Sequence, residues 1–431
     1  MSNKYLFKQI VQQKGGFLRG PFGGDLKKEI FVEKGLDTYK VYEQGVVLNS
    51  DKSIGRYYIS EKDYLAKLHK FSVRDKDFLV SCSGVNMGAI YQLKEPFERG
   101  IINQALLRIR LNAELIDDNY FYYLFKKLIS KKIISGSGDS TIPNFPGLNV
   151  IKNIEFELPI KSIQEKIGKI LFNIDSKIEF NNRINAELEA ITKTLYEYWF
   201  VQFDFPDKNG NPYKTSGGKM IWNAELKREI PEYWKNGKLC EIANIIMGQS
   251  PPGESYNDKG KGMIFFQGCT DFGDRFPTVR QFTTQPTRLA KEGDILLSVR
   301  APVGTMNIAK ENCCIGRGLA ALNSKDNCIA YLFGVMINLK QIFDRRNVNG
   351  TTFGSITKDD LFSLKVINPD KEILKKYHKI IKPAYEKQNK IAIENQKLAE
   401  LRDWLLPMLI NGQVTVINEK ILKKKVASAS F

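Results

Sequence analysis

Histidine is almost absent from this sequence, and the cysteines do not stand in metal-binding patterns. Only two histidines occur in 431 residues, His69 and His378, and they lie far apart in the chain. The six cysteines never form a C-x-x-C pair, so a zinc finger or zinc ribbon is not expected. They are predicted to be reduced and mostly packed. With both histidines isolated, no serine or cysteine has a credible general base.

Long apolar segments are also missing. No run of about 18 apolar residues, the length that a membrane-spanning helix needs, occurs in the sequence. The first ten residues carry scattered lysines and no apolar core, which is not the pattern of a signal peptide. The sequence therefore predicts a cytoplasmic protein.

Acidic residues are too few to balance the basic ones. There are 48 Asp and Glu against 65 Lys and Arg, a formal net charge of +17. An excess of this size favours a polyanionic partner, because each phosphate contacted by Lys or Arg releases counterions. The alternative is that the lysines form solvated faces and reflect the composition of the genome. The segment 411–431, which contains Lys423, Lys424 and Lys425, is interpreted as a basic tail.

The motifs of several enzyme classes are missing as well. No G-x-x-x-x-G-K-[ST] phosphate loop is present, so ATP hydrolysis is not expected. Amino-methyltransferases need a short Asn/Asp-Pro-Pro-aromatic loop, whereas Asn211-Pro212-Tyr213 has one proline and is better interpreted as a turn. We therefore predict a chain that is not an enzyme and that binds no metal and no cofactor of its own.

What the sequence does contain is an internal repeat of about half its length. Ile163 and Ile373 stand 210 positions apart, and the same offset relates Leu188 to Leu398 without a gap. In both copies apolar residues recur at steps of three and four, the pattern of a long amphipathic helix. We predict that the two helices pair with each other through these stripes, as in a coiled coil. The alternative is two surface helices, each packed on its own globular core. The positions assigned to the helix-pair interface are Ile163, Ile167, Ile170, Ile174, Leu188, Ile191, Leu195, Ile373, Tyr377, Ile380, Leu398, Leu401 and Leu405.

Proline and the turn formers set the expected interruptions. Pro383 lacks a backbone donor and is predicted to kink or break the second helix near Lys382. Between the two copies, Phe203 to Trp234 is rich in Gly, Pro, Asn and Asp, which indicates an extended linker. The segments before the helices also correspond: Asp77–Ser81 and Asp294–Ser298 are both predicted buried strands, each followed by a loop of small residues.

The ordered set of these features resembles the specificity subunits of Type I restriction–modification systems across essentially the whole chain. In the second half, Ile246–Pro252 is similar to the opening stretch of the family's recognition domain, and Gly293–Arg300 and Gly316–Gly318 are similar to its middle. In the first half, Arg19–Lys27 resembles a variant of that opening. None of these motifs is specific for the family by itself, but their order along the chain is.

The resemblance implies a fold and a set of boundaries. The fold class is α+β, with two similar mixed α/β target-recognition domains separated by two long antiparallel coiled-coil helices in a pseudo-twofold internal repeat. The predicted segments are recognition domain 1 at 1–160, spacer helix 1 at 161–200, a linker at 201–235, recognition domain 2 at 236–369, spacer helix 2 at 370–410 and the basic tail at 411–431.

The resemblance also implies a function and partners. Each domain would read one half of a bipartite site on double-stranded DNA, while the helices set the spacing of the half-sites and dock two methyltransferase subunits. Restriction subunits would join the full complex, and S-adenosylmethionine, ATP and magnesium would belong to those partners. Two other hypotheses stay open: a stand-alone regulator built from duplicated DNA-binding domains, and a scaffold whose basic charge is incidental.

Candidate DNA contacts follow from the chemistry of base reading. Arg or Lys reads guanine and Asn or Gln reads adenine in the major groove. For each candidate, a solvated or structural role is the competing interpretation; Arg99 and Arg317 in particular stand beside glycine turns that they would brace. The candidates are Lys40, Arg56, Arg74, Arg99, Asn103, Gln104, Gln267, Arg275, Arg280, Arg300, Arg317, Arg345 and Arg346.

Overall fold

The computed structural model describes residues 2–84, 86–129, 147–348 and 355–414. The chain divides into two compact units. The first unit comprises Met1–Ile178 and Leu398–Phe431, and the second comprises Glu179–Lys397. Of the predicted basic tail at 411–431, residues from 415 onward lie outside the described part.

The first unit is built on two four-stranded sheets and a terminal strand pair. The sheet orders are β2-β9-β6-β7 and β3-β5-β4-β8, and β1 pairs with β10. All neighbours are antiparallel except β4 and β8, which run parallel. The strands are β1 Ser2–Leu6, β2 Phe17–Arg19, β3 Phe31–Val32, β4 Thr38–Tyr42, β5 Tyr58–Ser60, β6 Phe78–Ser81, β7 Ile90–Gln92, β8 Gly100–Ile102, β9 Leu106–Ile109 and β10 Glu155–Pro159.

The second unit repeats this topology. Its sheets have the orders β14-β22-β19-β20 and β15-β17-β16-β21-β18, β13 pairs with β23, and β11 and β12 form a separate hairpin. The strands β16 and β21 run parallel, as do the corresponding β4 and β8. The strands are β11 Met220–Asn223, β12 Arg228–Pro231, β13 Lys235–Lys238, β14 Ala243–Met247, β15 Tyr256–Asn257, β16 Met263–Phe266, β17 Phe282–Thr283, β18 Leu289–Ala290, β19 Ile295–Ser298, β20 Met306–Ile308, β21 Cys313–Ile315, β22 Leu319–Ser324 and β23 Lys365–Asn368. The predicted duplication and the predicted buried strands β6 and β19 are confirmed.

Two helices are much longer than the others and belong in part to each unit. They are α5 and α9, with 36 and 40 residues. Within the described ranges, no helix is long and apolar enough to cross a membrane. The helices are α1 Gln44–Leu48, α2 Glu61–Asp63, α3 Asp118–Leu124, α4 Leu148–Lys152, α5 Lys161–Tyr196, α6 Leu239–Ile242, α7 Ile329–Val348, α8 Lys358–Phe362 and α9 Lys371–Ile410.

Pro383 does not break α9, so of the kink or break predicted near Lys382 the break is wrong. The helix continues through the proline to Ile410. A proline inside a helix costs about 3 kcal/mol, and Pro383 itself is exposed. On both sides the helix buries apolar residues, among them Ile381 and Ile391, each contributing roughly 1.5–3 kcal/mol. Burial on the two flanks therefore outweighs the loss of one backbone hydrogen bond.

The long helices pair antiparallel within each unit. In the first unit, Arg402 Nη1 donates to Asp175 Oδ1 at 2.9 Å, and Ile167 and Leu171 share a core with Leu409. In the second unit, Asn181 Nδ2 donates to Asn395 Oδ1 at 2.8 Å, and the ring of Trp199, in a turn that prolongs α5, lies 5.6 Å from that of Tyr377. Residue numbers rise along one helix as they fall along the other, as an antiparallel pair requires.

The positions assigned to the helix pair differ in burial. Ile167, Ile373 and Tyr377 are buried in the unit cores. Half-buried positions are Ile163, Ile170, Ile174, Leu188, Leu195, Leu398 and Leu405. Three others are exposed and do not lie in a buried seam: Ile191 at 58%, Ile380 at 53% and Leu401 at 43%. On a straight helix, positions that repeat every seven residues drift around the axis by about 20° per heptad. Over helices of this length, the predicted apolar stripe is therefore wider than the face that the two helices bury between them.

The segment predicted as an extended linker is folded instead. Phe203, Phe205, Ile230 and Trp234 are buried in the core of the second unit. The ring of Phe205 stacks on Trp234 with centroids 4.7 Å apart. The turn formers between these residues make tight connections, but the aromatic side chains hold the segment against the core.

Candidate DNA interface

In the first unit, the ends of four strands meet at one edge. β2, β4, β6 and β8 all end there, and their backbones are joined by short hydrogen bonds. Gly20 N–H donates to Leu106 O at 3.0 Å, Cys82 N–H to Ala105 O at 2.8 Å, and Asn103 N–H to Tyr42 O at 3.0 Å. The loops at this edge therefore form one connected frame.

The side chains presented on this frame are polar. Gln44 Nε2 donates to Ser81 Oγ and to Ser83 O, each at 2.7 Å. Gln104 is exposed at the turn between β8 and β9. We call Gln44, Ser83, Asn103 and Gln104 the first tip.

The second unit builds the same frame from a different sequence. Gly248 N–H donates to Leu319 O at 2.9 Å, Val299 N–H to Gly318 O at 2.9 Å, and Gly316 N–H to Phe266 O at 2.8 Å. These three bonds correspond one by one to those of the first unit. Arg317, exposed at the turn between β21 and β22, therefore occupies the place of Gln104.

The second tip consists of Ser250, Gln267, Arg300 and Arg317. The Gln267 side chain and the Ser250 hydroxyl are 3.0 Å apart, and Arg317 N–H lies 3.4 Å from the same hydroxyl. Arg300 follows β19, where Ser298 Oγ donates to its carbonyl oxygen at 2.7 Å. Four polar side chains thus share one edge of the unit.

A close backbone approach explains the glycine in each opening motif. A Cβ on Gly248 would lie 2.1 Å from Gly316 O, and one on Gly20 would lie 1.8 Å from Asn103 O. Neither position has room for a side chain, because the neighbour is backbone rather than a flexible side-chain end. The glycines let the opening strand approach the tip turn.

Gly248→Ala is therefore expected to lower the free energy of unfolding by about 1–3 kcal/mol, as overpacking of a close contact does. Denaturant unfolding measures this. Gly253→Ala is the matched control, because a Cβ there meets nothing within 4 Å. Equal stability of the two variants would show that the approach of the loops is not a constraint.

Two predicted DNA contacts are wrong, because their charged groups face the protein. Lys40 is 0% exposed, and its Nζ donates to Lys52 O at 2.8 Å and to Ser53 O at 2.9 Å. Arg275 lies over the ring of Tyr385 at 4.7 Å, and its Nε donates to Asn389 Oδ1 at 2.5 Å. The sequence favours a surface position for both, because a charged side chain is usually exposed.

The other candidates are dispersed. Arg74 and Arg99 are exposed but precede β6 and β8, at the far ends of the strands that lead to the first tip. Arg99 Nη2 donates to Leu36 O at 2.6 Å, a bracing contact. Arg56 lies over Tyr57 at 5.0 Å, and Arg280 pairs with Asp271 at 3.3 Å. Arg345 and Arg346 lie in α7, but their side chains are outside the described residues. The structure therefore brings together Asn103 and Gln104 in one unit, and Gln267, Arg300 and Arg317 in the other.

Gln44, Ser83 and Ser250 are tip residues that are not among the contacts predicted from the sequence. Ser250 stands inside the opening stretch Ile246–Pro252, whose similarity to the family does not by itself single out this residue. For Gln44 the sequence gives a weaker indication of a site residue: it is a polar residue shortly after a strand that ends at Tyr42.

Buried charges brace the edge opposite the first tip. Arg110 Nε donates to Asp77 Oδ1 at 2.7 Å, and burial raises the pKa of the Asp77 carboxyl. Arg108 is almost fully buried; burial first, and the charge of Arg110 second, lower its pKa to about 10. In the second unit the equivalent Asp294 accepts from Asn323 Nδ2 at 2.5 Å instead. These groups are part of the framework and not of the tips.

Most of the cysteines are packed, as predicted. All six are free, and Cys82, Cys313, Cys314 and Cys328 are buried. Burial raises the pKa of Cys82 and of Cys313 to about 12, so these thiols stay protonated near neutral pH. In the described ranges, no three His, Cys, Asp or Glu side chains form a group that could hold a metal ion.

Comparison with known proteins places these features in a family. The family model described as "Type I restriction modification DNA specificity domain" matches the chain twice, at residues 25–190 and 231–403. A putative type I restriction enzyme MjaX specificity subunit of Methanocaldococcus jannaschii is 31% identical over 341 residues, covering 76% of this chain and 75% of the relative. The type I restriction enzyme HindI specificity subunit of Haemophilus influenzae is 22% identical over 410 residues, covering 80% and 88%.

A solved structure shares the fold. The crystal structure of the S subunit of a Type I restriction–modification system from M. genitalium matches with a TM-score of 0.62 at 18% sequence identity, covering 95% of this chain and 96% of that one. The two matches of the family model coincide with the two copies of the repeat. The chain belongs to the family of DNA specificity subunits of Type I restriction–modification systems.

Proposed function

We propose that each unit reads one half of a bipartite DNA site through its tip. The observation that carries this is the placement of Gln104 and Arg317 at equivalent, exposed positions of two matching frames. A glutamine suits adenine and an arginine suits guanine in the major groove. One scaffold that presents two different reading residues is what recognition of two unlike half-sites requires.

The long helices are proposed to fix the distance between the half-sites. At 1.5 Å per residue, α5 is about 54 Å long and α9 about 60 Å. Each exceeds one turn of B-DNA, about 34 Å. Antiparallel pairing in both units supports a spacer of defined length rather than a flexible tether.

We propose that the same helices dock two methyltransferase subunits. Ile191 and Leu401 stand 210 positions apart, the offset of the repeat, and both are exposed. Ile191 belongs to the second unit and Leu401 to the first. An exposed apolar side chain at equivalent positions of a duplicated helix supports two equivalent partners.

The chain is proposed to contribute recognition and no catalysis. Methylation would come from the docked subunits with S-adenosylmethionine, and cleavage from restriction subunits with ATP and magnesium. Its place of action would be the cytoplasm, where the host DNA is. The names of the relatives, all specificity subunits, support this division of labour.

Substitution at the tips tests the proposal. Arg317→Ala, in the complex with its methyltransferase, is expected to weaken binding of the specific site by about 10- to 100-fold, the worth of a bidentate base contact. It should relax the sequence requirement at one base pair of one half-site. Gln104→Ala should do the same in the other half-site. Competition binding with single-base variants of the site measures both.

Lys259→Ala is the control, since Lys259 is exposed in the same unit but stands before β16, away from the tip. It is expected to leave base preference unchanged. If Arg317→Ala weakens the binding of all DNA sequences equally and relaxes the base preference at no position, Arg317 contacts phosphate and the tip does not read bases.

A further inference from the structure

An exposed aromatic side chain stands beside the first tip and is not among the polar residues that form it. Phe22 is 61% exposed, whereas a phenylalanine is usually buried. It follows the last residue of β2 by three positions and has an extended backbone before the one-turn helix Gly23–Asp25. Most of its ring is therefore open to a partner.

The close approach of Gly20 places the loop that carries Phe22 at the first tip. A Cβ on Gly20 would lie 1.8 Å from Asn103 O and 2.9 Å from Gln104 N. Phe22 is two residues further along, and two residues of chain span at most about 7 Å. Successive nucleotides of a DNA strand rise by about 3.4 Å. Phe22 therefore lies within about two base-pair steps of the turn that carries Gln104.

The ring of Phe22 is held by a charged group and by a constrained backbone rather than by burial. The guanidinium carbon of Arg19 lies 4.8 Å from the ring centroid. Pro21 is buried and restricts the backbone directly before Phe22, and Gly20 is fixed by its contact with Asn103. A side chain that is already ordered loses little conformational freedom when it binds.

The second unit presents a different side chain at the corresponding place. Its loop has the same order of a buried proline, an exposed residue and a one-turn helix, here Pro251, Pro252 and Gly253–Ser255. Pro252 thus takes the place of Phe22. Unlike side chains beside matching frames are what two different half-sites require.

The base edges in the major groove limit what an exposed phenylalanine contacts favourably. Guanine, adenine and cytosine present hydrogen-bond acceptors and amino donors there, whereas thymine also presents its apolar 5-methyl group. The phenylalanine side chain has no polar atom to pair with an acceptor or an amino group. The thymine methyl is therefore the base group that suits Phe22.

We propose that Phe22 packs against the 5-methyl group of a thymine in the half-site that the first unit reads. The proposal rests on the proposed function of the first tip and adds an A·T base pair to what this unit specifies. Contact removes the methyl group and part of the ring from water, and this burial favours thymine over the other bases.

Replacement of thymine by deoxyuridine tests the contact, because it removes the methyl group and keeps the base pair. The full chain in complex with its methyltransferase is used, with DNA in which each thymine of that half-site is replaced in turn. At one thymine, deoxyuridine is expected to weaken binding about fourfold, the equivalent of ~0.8 kcal/mol for one buried methyl group. Competition binding measures the ratio.

Variants of Phe22 show whether this side chain senses the methyl group. Phe22→Ala should bind the thymine and the deoxyuridine site equally at that position, and Phe22→Leu should keep most of the preference because it stays apolar. Leu36→Ala is the matched control: Leu36 is 96% exposed but precedes β4, away from the first tip. It should keep the fourfold preference. Circular dichroism verifies that each variant is folded.

A half-site of the first unit without an A·T pair would overturn the proposal. So would a preference for thymine that persists unchanged in folded Phe22→Ala at every position. Gln104→Ala separates this failure from that of the proposed function. If Gln104→Ala relaxes one position while no thymine methyl depends on Phe22, the tip reads bases without Phe22; if neither effect occurs, the tip does not read bases at all.

Discussion

Exchange of residues 1–160 for the matching segment of another family member is expected to replace one half of the methylated DNA site and leave the other half unchanged. The first tip lies wholly within this segment. A junction after Ile160 is suitable because β10, which ends at Pro159, pairs with β1 along its whole length, so the donor segment keeps its own strand pair. The core that the segment shares with Ile167, Leu171 and Leu409 is the surface to match in choosing the donor. Methylation-sensitive sequencing of host DNA measures the outcome.

The reciprocal exchange is the control for this experiment. Replacement of 236–369 removes the second tip and should change the other half-site only. A change of both half-sites by one exchange would contradict independent readers. A changed gap between unaltered half-sites would contradict the role given to the helices.

Loss of methylation altogether is expected when Ile191 and Leu401 both become aspartate. Each side chain is exposed, so its replacement leaves the cores intact. An aspartate in the centre of an apolar contact is desolvated without a partner, which costs several kcal/mol. Each single variant should therefore lose one methyltransferase subunit, and the double variant should lose both. Mass measurement of the purified complex counts the subunits.

Asn173→Asp is the matched control for the docking variants. It places one extra negative charge at an exposed position of α5 and should leave two methyltransferase subunits bound. If Ile191→Asp and Leu401→Asp retain both subunits, the partners dock elsewhere on the chain.

The sequence predicts the repeat well because buried residues recur at equivalent positions of its two copies. The 210-residue offset relates Ile167 to Tyr377, both of which are buried, and burial fixes such positions in both copies. Strands β6 and β19 are found where continuous apolar runs indicate them. The spacing of apolar residues indicates which positions are buried, and the buried positions determine the framework of strands and helices.

The individual site residues follow less well from the sequence. Lys40 is a residue type that often contacts DNA. Three oxygen acceptors around its ammonium group nevertheless hold the side chain inside the protein. Turn formers after Phe203 indicate a linker, yet the aromatic residues between them determine that the segment folds. An arginine reaches a tip only if it lies at the end of a strand that meets the tip. The alternation of apolar and polar residues along a strand does not show which end that is.

Sequencing of methylated host DNA, after co-purification of the chain with its neighbouring methyltransferase, is the most direct test of whether each tip reads one half-site. We expect two methyltransferase subunits per chain and modified bases in a split motif: two unlike half-sites separated by one fixed gap. DNA binding with no methyltransferase bound and no methylation mark would contradict this expectation and would favour a stand-alone regulator. A single continuous methylated motif would contradict the assignment of one half-site to each tip.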